Sequence, residues 1–154
     1  MEQTLVGQVT EFDMAGSVAG DLIPLIPTGV YLVTLDHYKT QIMFGRQPKL
    51  IMGFRIVEGE HTGVVVAKFY NVRKLKSKAG PRGKFEIGRH SDYLFDYAKL
   101  HGLPPRLDRM PMQPWRNSVL KARVKTVKTG RGRRELPEAL QYSKIESFVE
   151  KVAG

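Results

Sequence analysis

The chain has no cysteine among its 154 residues, which excludes disulfides, thiolate-bound metals and cysteine nucleophiles together. No apolar stretch approaches the roughly 20 residues that a membrane-spanning helix needs, so no membrane partner is expected. The opening MEQTLVGQVTEFD lacks the basic start and apolar core of a secretory leader, and the expected location is the cytoplasm. The four histidines, at 37, 61, 90 and 101, have no metal-ligand spacing. GPRGK, at residues 80–84, does not follow the spacing of a nucleotide-binding phosphate loop. A two-metal nuclease needs several converging carboxylates. Here acids are scarcest where bases are densest, and none occurs between Asp108 and Glu135. These absences argue against an enzyme, a metal and a cofactor.

Positive charge is plentiful and segregated. The net charge is +10 with an isoelectric point near 9.9. Residues 1–36 contain five acids and no lysine or arginine. Residues 37–67 carry a net +2, and residues 135–154 a net −2. Residues 68–134 hold nineteen bases against four acids. A solvated surface needs some charge, but one concentrated field attracts polyanions and speeds encounter with them.

Residues 1–28 read as an acidic arm punctuated by Gly16, Gly20, Pro24 and Pro27. It is a candidate competitor for the basic surface. A domain is expected over 29–150. Residues 30–35, rich in β-branched and aromatic side chains, predict a first strand, followed by a loop with Gly45 and Pro48. Residues 50–57 and 64–72 predict a hairpin around EGEHTG. Residues 73–89 read as a basic loop whose Gly-Pro-Arg-Gly core breaks regular structure. Ser91 then caps a helix with the stripe Tyr93, Leu94, Tyr97, Ala98 and Leu100, stopped by Gly102. Residues 103–116, with four prolines, read as irregular. Alternation over 119–127 predicts a half-exposed strand, and residues 142–149 a strand or short helix. Three strands, a helix and two strands is the order of the five-stranded OB-like barrel, mainly β with one helix. Another small barrel or an open α+β sheet has similar ingredients.

The candidate interface follows from that layout. Lys121, Arg123 and Lys125 share one strand face at a period of two. Lys128, Arg131, Arg133 and Arg134 extend the patch through the next turn, where OB-folds contact oligonucleotides. Arg73, Lys74, Lys76, Lys78, Arg82 and Lys84 form a second cluster in the basic loop, read as flexible enough to close over a strand. Arg46 and Lys49 are expected in the loop between the first two strands, as a clamp on phosphates. Aromatic rings stack unpaired bases. Phe69 and Tyr70 must face opposite ways, and because Tyr70 shares its face with Lys68, Tyr70 is expected to be the exposed ring. Trp115, beside Arg116, reads as a stacking platform or a cap on the barrel. For most of these residues there is a plain structural alternative: edge-strand charge that prevents aggregation, a solvated loop, or an aromatic in the core.

The runs IPTGVYLVTLDHYKT, FGRQPKLIMGFRIVEGEHTGVVVAKFYNV, SDYLFDYAKLHGLPPRLDRMPM and LPEALQYSKI, spanning about residues 26–146, resemble small proteins of phages and bacterial mobile elements. Their layout is similar to that of phage OB-fold single-stranded DNA-binding proteins. The resemblance implies a low-specificity single-stranded nucleic-acid binder, with DNA favoured and duplex DNA or RNA as alternatives. The chain departs from that group at its end: SFVEKVAG is short and only mildly acidic, which weighs against partner recruitment by an acidic tail. A protein-interaction module, or subunit of a nucleoprotein complex, is the second reading, and a metal-dependent nuclease the third. Self-association is compatible with each.

Overall fold

The computed structural model describes residues 24–43, 46–129 and 134–154. Five long strands dominate: β1 (Gly29–Met43), β2 (Gln47–Ile56), β3 (Val65–Asn71), β7 (Val119–Val127) and β8 (Tyr142–Ala153). Between β3 and β7 lie three two-residue strands, β4 (Lys74–Leu75), β5 (Gly80–Pro81) and β6 (Phe85–Glu86). There follow helix α1 (Asp92–His101) and the four-residue α2 (Gln113–Arg116). β1 pairs antiparallel with β2 and with β7, β2 pairs with β3, and β7 with β8. A parallel pairing of β3 with β8, at Ala67 and Lys144, closes the ring. This is the expected OB-like, mainly-β layout, with a short second helix added.

β1 serves two neighbours because it is long and bent. Gly29 to Val33 pair with β7, and the strand from Val33 onward pairs with β2, with a register break between Leu35 and His37. The bulge changes which residues face inward. Val33 and Leu35 point into the ring, whereas beyond it Thr40 is buried and Tyr38 packs on the core. That shift hides the period of two. It is why the sequence pattern stops the strand at residue 35, although the structure carries it to Met43.

The ring encloses Val33, Leu50, Met52, Phe54, Val66, Leu120, Val124, Ile145 and Phe148. α1 supplies Tyr93, Tyr97 and Leu100 to the same core. Its start is fixed as expected: the Ser91 hydroxyl accepts the Leu94 N–H at 3.2 Å, and Gly102, at φ 86°, donates its N–H to the Ala98 carbonyl. The proline-rich segment after α1 is less irregular than its composition predicts, because α2 turns Trp115 into the core. Trp115 Nε1 donates to the Tyr93 hydroxyl at 2.9 Å, and Phe54 and Phe148 pack at ring-centre distances of 5.8 and 5.6 Å. Trp115 is therefore a core residue and not a stacking platform. Beside it lies His101, 4.6 Å between ring centres, with neither ring nitrogen hydrogen-bonded. Burial, aided by Lys151, holds the His101 pKa down to about 4.

The packed chain also extends beyond the expected domain limits. Ile26 is buried in the core, and its N–H donates to the Ser143 hydroxyl at 2.9 Å. β8 is a strand and continues to Ala153. The acidic residues of the arm before Pro24 lie outside the described residues.

Candidate nucleic-acid interface

One row of paired residues crosses all five strands on the side away from the core; His37 and Lys125 at its ends are exposed, Lys144 is half-buried, and Gly53 and Ala67 in its middle are buried. His37 on β1 pairs with Gly53 on β2, Gly53 with Ala67 on β3, Ala67 with Lys144 on β8, and Lys144 with Lys125 on β7. Paired residues share a face, and strands lie about 4.8 Å apart, so the row spans roughly 19 Å. Gly53 lets the His37 ring lie close over β2: a Cβ there would come within 2.7 Å of that ring and push it aside. The adjoining row is Lys39, Ile51 and Phe69. Ile51, Ala67 and Met43 form a small apolar cluster outside the main core, with Phe69 packed on it and partly exposed.

This placement reverses the expected roles of Phe69 and Tyr70. Tyr70 is 2% exposed, and its hydroxyl donates to Asp96 of α1 at 2.5 Å. Burial and the neighbouring Asp96 carboxylate push the Tyr70 pKa well up. Lys68 does share Tyr70's face, but that face is the inner one. Lys68 tolerates it by laying its ammonium 4.7 Å from the centre of the Tyr70 ring. Its pKa is lowered by burial first, with Asp96 opposing and Lys144 and Lys125 adding repulsion. Lys125 and Lys144 thus stand side by side at one end of the outer row, while Lys68 feels their charge from the inner face of β3.

Among the described residues, Arg123, Lys125, Lys128 and Arg134 are exposed with no carboxylate within ion-pair distance, whereas Lys121 pairs with Glu150 at 3.0 Å. Arg131 and Arg133 fall outside the described residues. Arg46 is exposed at the β1–β2 turn. Lys49 lies within β2, between Gln41 and Asn71, and not in a loop.

The basic loop of residues 73–89 is more ordered than its composition predicts. β4 pairs with β6, and β5 pairs with the middle of β1, Lys39 opposite Pro81 and Thr40 opposite Gly80. Its leading bases are also partly neutralised. Arg73 and Lys74 reach Glu86 at 3.6 and 3.9 Å, and Lys76 reaches Asp108 at 3.7 Å. Arg106 binds the same Asp108 through two hydrogen bonds and holds its carboxyl below the usual range. Arg82 and Lys84 remain exposed and without an ion pair among the described residues. Folding the loop onto β1 leaves two neighbouring clefts, of about 590 and 550 Å³, both lined by Tyr38 and Arg82. Arg116 lines the first and stands 5.9 Å from the Tyr38 ring centre, while Lys84 and Arg109 line the second.

Sequence reasoning thus missed Tyr38, Lys39, Phe69, Arg109 and Lys144. Only Phe69 had a readable signal, the strict alternation of β3. Among the described residues no group of acids and histidines is placed to hold a metal ion, and no helix is long and apolar enough to cross a membrane. Comparison with protein-family models, curated proteins and solved structures finds no match to this chain.

Proposed function

We propose that the protein binds single-stranded nucleic acid, DNA in the first place, along the five-strand row of its ring, with low sequence specificity. The observation that carries this reading is the juxtaposition of Lys125 and Lys144, paired on the outer face, with the partly exposed ring of Phe69 on the same face. The lysines repel one another, and a phosphate backbone relieves that repulsion while releasing counterions. Phe69 lies one row away, where a base stacks if it is unpaired. Lysine-to-phosphate contacts carry no sequence information and ring stacking accepts any base, so specificity is low. In this reading the protein belongs to a phage or mobile element, acts in the cytoplasm and performs no catalysis.

A titration against single-stranded DNA, duplex DNA and RNA at two salt concentrations tests the reading. At least tenfold preference for single strands, with affinity falling as salt rises, supports it. Equal weak binding to all three contradicts it. Phe95 and Leu103, exposed on α1 and just beyond it, favour a second reading, a protein-interaction module. That reading requires a complex that survives nuclease treatment.

A further inference from the structure

Arg82 is one of only two non-glycine residues with positive φ among the described residues, at 54°. Such a conformation is uncommon for an arginine and is held only where the surroundings dictate it. Here they do. The Arg82 N–H donates to the Tyr38 carbonyl at 3.0 Å, and the Gly83 N–H donates to the Gly80 carbonyl at 3.1 Å. Thr40 packs so closely under Gly83 that a Cβ there would collide with its hydroxyl. A segment that reads as a floppy basic loop is thus pinned to β1, with Arg82 standing between the two clefts.

The first cleft begins where the five-strand row ends, because His37 and Lys39 belong to the outer face of β1 and also line that cleft. Its far wall holds Arg82 and Arg116, neither of which has an ion pair among the described residues. The one acid in it, Asp36, is engaged by His37 at 2.9 Å and Arg55 at 3.8 Å. Two guanidinium groups beside a tyrosine ring suit a phosphate joined to a planar base.

We propose that this cleft is a second subsite for one nucleoside phosphate unit of the bound strand, its phosphate held by Arg82 and Arg116 and its base set against Tyr38. The inference rests on the single-strand reading above. It makes the binding path bipartite: a strand leaves the lysine end of the row, crosses β3 and β2, and turns over β1 into the cleft. A short strand fills the row alone, and a longer one engages both parts.

The test is binding of oligo(dT) of about 4 and about 16 nucleotides, the range that single OB folds cover, by the full chain and by three variants. Arg82→Asn removes the guanidinium and keeps a residue that accepts positive φ. Arg116→Gln is a second, independent removal from an exposed site, and Lys78→Gln removes an exposed charge outside the clefts. The expected result is at least fivefold weaker binding of the long strand by Arg82→Asn and by Arg116→Gln. The short strand should stay within twofold, and Lys78→Gln should leave both within twofold. A long strand that binds both cleft variants within twofold overturns the proposal, as does equal weakening of the short strand. Loss of dTMP binding with long-strand affinity unchanged also overturns it, by assigning the cleft to a free nucleotide. Failure of the single-strand reading is distinguishable: the wild-type chain would then bind the long oligonucleotide no better than duplex DNA of the same length, which removes both claims.

Discussion

Along β7, Arg123 and Lys125 face solvent with no carboxylate in ion-pair range among the described residues, whereas in the loop of residues 73–89 Arg73 and Lys74 share Glu86 and Lys76 reaches Asp108. The two regions look equally basic in the sequence. They differ because chain folding brings acids to the loop: Glu86 returns on β6, opposite Lys74, and Asp108 arrives from the segment after α1. On β7, β8 brings Glu150 only to Lys121, and sets Lys144 opposite Lys125. A polyanion should therefore sense the strand strongly, and the leading bases of the loop, Arg73, Lys74 and Lys76, weakly. Net charge by segment overstates one basic region and understates the other.

The most severe way to break this comparison is to neutralise the strand side. Replacing Arg123, Lys125 and Lys144 together by glutamine should weaken single-strand binding about a hundredfold at low salt, and lower the salt slope by about 2, since each phosphate contact contributes roughly 0.7. Salt-dependent anisotropy titrations read both numbers. Phe69→Leu keeps an apolar side chain over Met43 and Ile51 but removes the stacking face. It should weaken binding by about 1–3 kcal/mol, the worth of one stacked base, with unfolding unchanged within experimental error. The same substitution should leave duplex binding unaffected.

The roles of Phe69 and Tyr70 show where the sequence was legible and where it stopped. Alternation placed them on opposite faces, and that held. Which face was inner depended on α1, because the Tyr70 hydroxyl is satisfied by Asp96, 26 positions away. No local pattern contains that partner. The same is true of Trp115, whose indole N–H finds the Tyr93 hydroxyl across the core. The strand order, the hairpin, the capped helix and the outward face of β7 were readable, because each rests on local periodicity or on a cap. The row across five strands was not, because it exists only once the ring closes at Ala67 and Lys144. Tyr38 and Lys39 were hidden by the bulge at residue 36, which puts them in a stretch that reads as a loop.

A smaller effect sharpens the other side of the comparison. Replacing Arg73 and Lys74 by glutamine removes two bases that already share Glu86, and should change affinity by twofold or less, in contrast to the same number of changes at Arg123 and Lys125. Matched double variants in one titration series make that contrast directly.

The smallest effect expected is the pH dependence that a partly buried histidine gives the fold. Stability should change, because His101 is a base whose folded pKa, about 4, lies below its ordinary 6.5. Its contribution is fully present above about pH 6.5 and is lost as the pH falls toward 4, where the unfolded chain binds the extra proton. Urea midpoints measured across that window should fall, and His101→Phe should remove this part of the fall.

The most direct measurement is the set of backbone amide shifts in an NMR titration of the full chain with oligo(dT). The account predicts that the largest changes fall on Phe69, Ala67, Lys125 and Lys144, on adjacent strands of one outer face. Changes confined to residues 73–78, or spread evenly over every basic residue, would contradict it.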